Sequence, residues 1–250
     1  ATLTLNRPEA GNTITLPLAQ ALFEVSLRCE RDKAIRCVVL TGRGKLFCGG
    51  GDVAVFAEIG ANLPNYLGEL AKTLNMALSH LMRMPKPLLA LVNGSAAGAG
   101  LSLAISADIV IAGSSARFLA AYGEVGLSPD GGMTWLLPRL VGMRRAQEII
   151  IANKIVGAAE ALEIGLVTEV VDDSNLTEIG HARALSLANS ATEAIGGARQ
   201  LLLGAFDGAY EDHLEREAVM ISNISRGPEC REGIDAFRNR RKPNFFGDRG

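Results

Sequence analysis

Apolar residues fall into two alternating patterns along the chain. Short runs of β-branched and aliphatic residues occupy 1–5, 37–41, 88–92, 108–112 and 166–171. Such runs are typical of strands, and the uninterrupted ones are typical of strands buried on both faces of a parallel sheet. Longer stretches between them repeat apolar residues at helical spacing. This alternation predicts an α/β fold whose parallel strands are joined by right-handed crossovers.

Helices are predicted where the apolar spacing follows a period near that of the α-helix. In the clearest example, leucines recur on one face of 66–83, and Pro85 ends the helix. The predicted helices are 17–32, 66–83, 98–106, 132–140, 144–152, 158–164, 176–188, 192–206, 213–224 and 228–240. The chain thus divides into a core over 1–190 and a helical region over 191–250. A single helical layer cannot bury both of its faces, so we expect the second region to mediate oligomerisation.

Two glycine-rich turns each follow a predicted buried strand. The first glycine turn is Phe47-Cys48-Gly49-Gly50-Gly51-Asp52, and the second glycine turn is Asn93-Gly94-Ser95-Ala96-Ala97-Gly98-Ala99-Gly100. Peptide N–H groups at a strand-to-helix junction lack helical acceptors and can face an anion or a polarised carbonyl. For one such loop, a tight turn with positive φ would explain the glycines. Two matched loops favour a binding site.

The charge balance and the cysteines restrict the classes of function. The chain has 250 residues, with 25 basic and 27 acidic side chains, and its formal net charge is −2. No basic stripe alternates with aromatic residues, which argues against nucleic acid as a partner, and no apolar run is long enough to span a membrane. Cys29, Cys37, Cys48 and Cys230 lack CxxC spacing and are predicted to be free thiols in the cytoplasm. Because the chain starts inside a predicted strand, we expect further residues upstream.

Several catalytic motifs are absent from the sequence. It contains no Gly-x-Ser-x-Gly elbow, and neither glycine turn completes a dinucleotide or nucleotide-triphosphate pattern. His80, His181 and His213 lack ligand spacing, so no metal site is predicted. Cys48 is interpreted as a small packing residue rather than a nucleophile, because no histidine is near it in the sequence.

Asp130 is the acidic residue that stands out. It lies in Gly126-Leu127-Ser128-Pro129-Asp130-Gly131-Gly132, among small and apolar residues and just before a predicted helix. One interpretation is a catalytic carboxylate. The other is the N-cap of the helix that contains Trp135, since Asp is a preferred cap residue. Backbone N–H groups occupy a capping carboxylate, so the two roles are hard to combine in one side chain.

Six segments in a fixed order carry a family pattern. They lie at 3–12, 40–52, 87–100, 107–109, 165–167 and 232–237, and so extend over nearly the whole chain. Together they resemble the crotonase superfamily, also called the enoyl-CoA hydratase/isomerase superfamily. The resemblance implies a spiral of ββα units and a C-terminal helical trimerisation region, and therefore a homotrimer or a hexamer built as a dimer of trimers. It also implies acyl-CoA thioesters as substrates and no cofactor, because CoA is part of the substrate.

The resemblance assigns roles to individual residues. The N–H groups of Gly51 and Ala99 would bind the thioester oxygen, where preorganised donors stabilise a developing enolate, and a Cβ at Gly51 would crowd the thioester. The residues implied to bind the substrate or its CoA are Glu9, Gly11, Gly49, Gly50, Asp52, Val53, Ala97, Gly98, Ser102, Tyr122, Val125, Phe237 and Arg240. Phe237 and Arg240 would contact the nucleotide end of CoA. The alternatives are a core position for Phe237 and a solvated basic end for Arg240.

Acidic residues decide the reaction in this family. The two glutamates with which hydratases activate water would fall at Ser102 and Tyr122, and neither residue is a carboxylate. Asp130 coincides with the acid of a subset of isomerases, and 129–139 is similar to the ring-1,2-epoxyphenylacetyl-CoA isomerase type. One carboxylate can remove a proton from one carbon of an acyl chain and return it to another. We therefore expect an enoyl-CoA isomerase, of the 3-enoyl to 2-enoyl or the ring-epoxide/oxepin kind, with Asp130 as the proton shuttle.

Three alternatives remain open from the sequence. One is an enoyl-CoA hydratase, although its two-acid mechanism is disfavoured. Another is an aryl-CoA dehalogenase that uses the acid at position 130 as a nucleophile, but that chemistry expects a tryptophan in place of Tyr122 and a suitably placed histidine. The third is a protein of the same fold that binds CoA without turnover. Asp130 argues against the third alternative, because a pure binding module does not need a buried carboxylate facing the thioester.

Overall fold

The sheet that organises the fold contains all five predicted strands. The computed structural model describes residues 1–246. Its strands are β1 (Thr2–Leu5), β2 (Val38–Gly42), β3 (Leu88–Val92), β4 (Ser95–Ala97), β5 (Ile109–Gly113), β6 (Arg117–Leu119), β7 (Val156–Gly157) and β8 (Glu169–Val171). The main sheet has the order β1-β2-β3-β5-β8, and all of its neighbours are parallel. The α/β class predicted from the sequence is confirmed.

The two faces of the main sheet are covered by different layers. Leu89 and Ile111 pack with Leu176 of a C-terminal helix on one face. The alternate residues Leu88 and Ala90 belong to the main core on the other face. Because β3 is buried along its whole length, it lacks the polar alternation of a half-exposed strand, as its sequence predicts.

The apolar pattern along the chain does not predict the second, smaller sheet. In this sheet β4 pairs in parallel with β6, and β7 pairs antiparallel with β6. Isolated bridges join Cys48 to Ala96 and Ile14 to Gly51. These strands have only two or three residues, and β4 is Ser-Ala-Ala, so neither length nor composition indicates a strand. The segments that follow β1, β2, β3 and β5 all take part in this second layer, which contains both glycine turns.

The ten predicted helices are all present, with ends that differ by up to three residues. The helices are α1 (Leu16–Arg31), α2 (Val53–Ile59), α3 (Leu63–Arg83), α4 (Ala99–Ile105), α5 (Met133–Val141), α6 (Met143–Ile151), α7 (Ala158–Glu163), α8 (Leu176–Ala188), α9 (Thr192–Leu203), α10 (Tyr210–Ile224) and α11 (Pro228–Arg238). The sequence does not predict α2, because its β-branched residues show no helical period. Asp52 begins α2 as its N-cap, and its carboxylate accepts a hydrogen bond of 3.3 Å from the N–H of Val55.

Helices α9, α10 and α11 form the predicted oligomerisation region. In α9 the buried guanidinium of Arg199 donates to Asp108 and to three carbonyl oxygens at and just beyond the end of α3. By contrast, α10 has no buried residue in the single chain. Oligomerisation through 191–250 stays a prediction, and its residues 247–250 lie outside the described part of the chain. None of the described helices combines the length and apolar character needed to cross a membrane.

Candidate active site

The two glycine turns are hydrogen-bonded to each other. The N–H of Cys48 donates to the carbonyl oxygen of Ser95 at 3.2 Å, and the N–H of Ala97 donates to that of Cys48 at 2.9 Å. Gly100 packs so closely that a Cβ there would lie 2.3 Å from the carbonyl oxygen of Cys48. Only glycine permits this approach. The structure therefore brings together the two loops that the sequence predicts to form one site.

The N–H groups of Gly51 and Ala99 are left as free backbone donors. In the bridge to Ile14, the carbonyl of Gly50 accepts from Ile14 at 2.7 Å, and the N–H of Asp52 donates to Ile14 at 3.3 Å. The N–H of Gly51 therefore points to the opposite side. Ala99 is the first residue of α4, where helical N–H groups have no intrahelical acceptor. Within residues 1–246, neither N–H donates to a backbone carbonyl.

A polar cluster fixes the first glycine turn from behind. The carboxylate of Asp52 accepts hydrogen bonds of 3.0 Å from both Arg7 and Thr13. Partial burial opposes the ionisation of Asp52, but the hydrogen bonds from Thr13, Arg7 and the α2 backbone outweigh it and lower the pKa of this carboxyl. The buried side chain of Asn12 donates to the carbonyl oxygen of Leu46 at 2.8 Å. Both side chains thus stabilise the turn that carries Gly51.

A cavity of about 560 Å³ opens beside the two turns. Its volume lies within the range of small-molecule sites. The predicted site residues that line it are Gly49, Gly50, Gly51, Val53, Ala97, Gly98, Ala99, Tyr122, Val125 and Asp130. Helix α3 supplies much of the remaining wall through Leu67, Gly68, Leu70, Ala71 and Leu74. The cavity therefore combines an apolar wall with two backbone donors and a carboxylate.

Asp130 lies on a loop that places it in the cavity wall. The N-cap of α5 is Gly132, and no side chain caps this helix. Gly131 and Gly132 are both left-handed, with φ of 62° and 76°, and they separate Asp130 from the first turn of α5. The interpretation of Asp130 as an N-cap is therefore wrong. Its carboxylate instead accepts a hydrogen bond of 2.6 Å from the hydroxyl of Tyr122.

Tyr122 and Ser102 both hold Asp130 in place. The hydroxyl of Ser102, a fully buried residue, donates to the backbone carbonyl of Asp130 at 3.0 Å. Burial raises the pKa of Tyr122 far above its ordinary value, and the charge of Asp130 and the hydrogen bond to it raise that pKa further. The phenol therefore keeps its proton and remains a donor to Asp130.

Four of the predicted binding residues lie next to the cavity without lining it. The N–H of Gly49 donates to the carbonyl oxygen of Gly11 at 2.9 Å, so the loop with Glu9 and Gly11 adjoins the first glycine turn. Ser102 lies behind Asp130, and the carboxylate of Asp52 is directed to Arg7 and Thr13. Through these contacts Ser102 and Asp52 hold neighbouring residues of the site in place.

Phe237 and Arg240 are not brought to the cavity of their own chain. Phe237 lies on α11 and is 85% exposed, so the interpretation of this residue as core is wrong for the single chain. Arg240 follows α11, is exposed and adopts a left-handed φ of 53°. The neighbouring Arg241 forms ion pairs with Glu232 and Asp235, both at 2.6 Å. Part of the basic end is therefore neutralised within the chain.

Several features of the cavity are not predicted from the sequence. The apolar stripe of α3 indicates a buried face, but it does not distinguish a packed neighbour from a cavity. Glu124 is a second carboxylate in the cavity wall, yet it is exposed and accepts a hydrogen bond of 2.8 Å from Asn153. A Cβ at Gly51 would meet the ring of Phe56 at 2.6 Å, so the expected crowding involves this ring before any thioester.

No cysteine or histidine of the described residues lines the cavity. Cys48 is fully buried, and burial raises the pKa of its thiol to about 12. A thiol protonated at neutral pH is a poor nucleophile. His80 lies 3.2 Å from Glu30. In the described range 1–246, no cluster of three or more His, Cys, Asp or Glu side chains is arranged to hold a metal ion.

Known proteins match this chain over almost its whole length. The family model described as enoyl-CoA hydratase/isomerase matches residues 1–248. The chain is 37% identical to 1,2-epoxyphenylacetyl-CoA isomerase of Escherichia coli, over 98% of this chain and 94% of that protein. It is 38% identical to a protein named "probable enoyl-CoA hydratase" of Rhodobacter capsulatus, over 99% and 94%. The solved structure of an enoyl-CoA hydratase from Polaromonas sp. JS666 is similar with a TM-score of 0.93 at 31% identity, over 97% of this chain and 95% of the other.

Proposed function

Because this chain belongs to the enoyl-CoA hydratase/isomerase family and has a crotonase-like fold, we propose that it is an isomerase that shifts a double bond in an acyl-CoA. The observation that carries the proposal is the position of Asp130. Its carboxylate is held by Tyr122 in the wall of the cavity that Gly51 and Ala99 also line. A proton-shuttling group and two donors for an oxyanion are the parts that such an isomerisation requires.

The proposed reaction proceeds through a thioester dienolate. The thioester oxygen accepts hydrogen bonds from the N–H groups of Gly51 and Ala99, which stabilise the negative charge that develops on it. The carboxylate of Asp130 removes a proton from C2 of a 3-enoyl chain, and the electron pair delocalises over the chain onto that oxygen. Asp130 then returns the proton to C4. The double bond is left between C2 and C3, and the enzyme is unchanged.

The contacts of Ser102 and Tyr122 argue against hydration by two carboxylates. The hydroxyl of Ser102 is bonded to the backbone of Asp130, and the phenol of Tyr122 retains its proton. Neither can act as a carboxylate base on water. Hydration stays a second candidate because the relative from Rhodobacter capsulatus is named a probable hydratase.

The cavity supports an apolar acyl group as the part of the substrate bound there. We propose that CoA lies along residues 9–11 and 49–53, with its nucleotide end near Phe237 and Arg240 of a neighbouring subunit. The exposure of both side chains outside their own cavity supports this placement. The proposal includes a homotrimer or a dimer of trimers in the cytoplasm and no cofactor. The name of the Escherichia coli relative favours a cyclic acyl group.

The test is turnover of a 3-enoyl-CoA in deuterium oxide, measured by conjugated-thioester absorbance and by deuterium incorporation. A ring-epoxide acyl-CoA is assayed in parallel. We expect wild-type enzyme to isomerise at least one of the two, and Asp130→Asn to lose about 10²- to 10⁴-fold in rate. Glu124→Gln removes the other cavity carboxylate and should retain most of the activity, because Glu124 is exposed and engaged with Asn153.

Each other outcome selects a different function. Equal rates for wild type and Asp130→Asn would show that Asp130 is not the shuttle, and a larger loss in Glu124→Gln would assign the role to Glu124. Formation of 3-hydroxyacyl-CoA from 2-enoyl-CoA, retained in Asp130→Asn, would identify a hydratase. Halide release from a halobenzoyl-CoA would identify a dehalogenase. Binding of acyl-CoA without any turnover would identify a non-catalytic protein.

A further inference from the structure

We propose that Tyr122 is a positioning residue that orients the Asp130 carboxylate for proton transfer. This inference rests on the proposed isomerase function. The hydroxyl of Tyr122 donates to Oδ1 of Asp130 at 2.6 Å, which is at the short end for an O–H···O hydrogen bond and typical of one to a charged acceptor.

The hydrogen bond leaves one carboxylate oxygen for the substrate. Among the described residues, no side chain other than Tyr122 donates to the carboxylate of Asp130. Ser102 instead donates to the backbone carbonyl of the same residue. With Oδ1 engaged by the phenol, Oδ2 is the oxygen available to accept and return a proton. A donor fixed to one oxygen thus selects both the orientation and the reactive atom of the carboxylate.

Two neighbouring contacts fix the position of the Tyr122 ring beside Asp130. The preceding residue, Ala121, is left-handed with φ of 62°, and its N–H donates to the side chain of Asn153 at 2.8 Å. A Cβ at Gly98 would lie 3.9 Å from Cε2 of Tyr122, so the ring packs against the second glycine turn. Gly98 directly precedes Ala99, the proposed oxyanion donor. Tyr122 therefore connects the backbone donor to the carboxylate through one rigid ring.

The surroundings leave the Tyr122 hydroxyl as the side-chain group that holds the Asp130 carboxylate. Burial and the adjacent carboxylate keep the phenol protonated, so its proton stays in the hydrogen bond. Glu124 is the other titratable side chain in the cavity wall, and it is engaged with Asn153. The described residues that line the cavity include no Lys, Arg or His. Because no other described side chain donates to this carboxylate, removal of the phenol hydroxyl should leave it free to rotate.

The test compares Tyr122→Phe with Tyr66→Phe. Tyr66 is also half-buried, accepts a hydrogen bond of 3.4 Å from the N–H of Leu16, and does not line the cavity. In Tyr122→Phe we expect kcat for isomerisation to fall about 10- to 100-fold, as loss of a hydrogen bond to a charged group predicts. KM should change little. Tyr66→Phe should keep the wild-type kcat and KM.

Two further measurements keep the outcome decisive. Binding of a saturated acyl-CoA, measured by calorimetry, reports whether the cavity of Tyr122→Phe is intact. Replacement of Tyr122 by 3-fluorotyrosine keeps the ring and the hydroxyl donor, so kcat should stay near the wild-type value. A wild-type kcat in Tyr122→Phe, or an equal loss of kcat in both Tyr122 variants, overturns the inference while the isomerase function stands. Absence of isomerisation by the wild-type enzyme overturns the proposed function itself.

Discussion

Gly50 and Ala97 are in contact across the two glycine turns, where a Cβ on Gly50 would lie 2.8 Å from the carbonyl oxygen of Ala97. The same Cβ would lie 3.5 Å from the backbone nitrogen of Ala99, a proposed oxyanion donor. Gly50 also has φ of 91°, a conformation that L side chains rarely adopt. The relative position of the two proposed donors thus depends on the absence of a side chain at residue 50.

Substitution of Gly50 by Ala should therefore damage both stability and turnover. The left-handed backbone alone predicts a loss of about 1–3 kcal/mol in the free energy of unfolding. Displacement of a donor predicts a fall of about 10²- to 10³-fold in kcat. Urea unfolding and isomerase kinetics measure the two effects. Gly157→Ala is the matched control, because Gly157 has a negative φ and open space at its Cβ, and it should behave as wild type. Wild-type kcat in Gly50→Ala would contradict this account of the donors.

Gly68 should set the size of the acyl group that the cavity accepts. It lies inside α3, where glycine is unfavourable by about 1 kcal/mol relative to Ala, and it lines the cavity. A Cβ there would meet nothing within 4 Å, so packing within the chain does not require glycine. Gly68→Leu places an isobutyl group at this wall. We expect kcat/KM to fall for cyclic or medium-chain acyl-CoA and to stay near wild type for a four-carbon enoyl-CoA.

A leucine at the neighbouring residue of α3 is the control for this prediction. Glu69 is exposed and does not line the cavity, so Glu69→Leu adds the same side chain outside it. This variant should keep the wild-type preference between long and short substrates. Equal losses for both substrates in Gly68→Leu would show that the residue affects the fold or the thioester rather than the acyl group.

Buried thiols should make the protein less stable at alkaline pH. Burial raises the pKa of Cys37 to about 11 and that of Cys48 to about 12, from 9.0 in an unperturbed thiol. Above pH 9 the unfolded chain loses these protons while the folded chain retains them. Stability is therefore fully present below about pH 9 and falls as the pH rises towards the folded values, by about 1.4 kcal/mol per pH unit for each such thiol.

Cys37→Ala isolates one thiol in this experiment. Urea midpoints at several pH values between 7 and 10 would be measured for wild type and variant. Up to about pH 8.5 the urea midpoint of the variant should differ from that of wild type by a constant amount. Above that pH the midpoint of the variant should fall less steeply, because the other alkaline groups titrate equally in both proteins. Parallel curves over the whole range would show that Cys37 is not protected from ionisation in the folded state.

The main sheet and most helices could be predicted because their patterns are local. An aliphatic run such as 88–92 indicates a buried strand without knowledge of its neighbours. Local patterns could not predict the second sheet, since β4 is held by pairing with distant segments rather than by its own composition. Helix α2 is missed because its local composition points to the wrong structure. Its β-branched residues favour a strand, whereas the Asp52 cap starts a helix.

The candidate site was predictable in its backbone and less so in its side chains. The spacing of the glycines predicts both turns, because a residue with a Cβ does not fit where the backbones of the two turns approach each other. The contact of Tyr122 with Asp130 depends on the left-handed residues Ala121, Gly131 and Gly132, and no sequence period encodes that loop path. The shape of the cavity could not be predicted either, because an apolar helix face has the same pattern beside a void as beside a packed neighbour.

The buried guanidinium of Arg199 has a consequence for how the chain is synthesised. Its partner Asp108 emerges from the ribosome 91 residues earlier, and its acceptor on Leu81 emerges 118 residues earlier. Until α9 is made, these acceptors lack this donor, and the ion pair and hydrogen bonds that hold α9 to the end of α3 cannot form. We therefore expect a nascent chain that ends at residue 190 to stay protease-sensitive, and one that includes α9 to become resistant. The core region 1–190 would then complete its folding only after α9, which lies outside that region, has been synthesised.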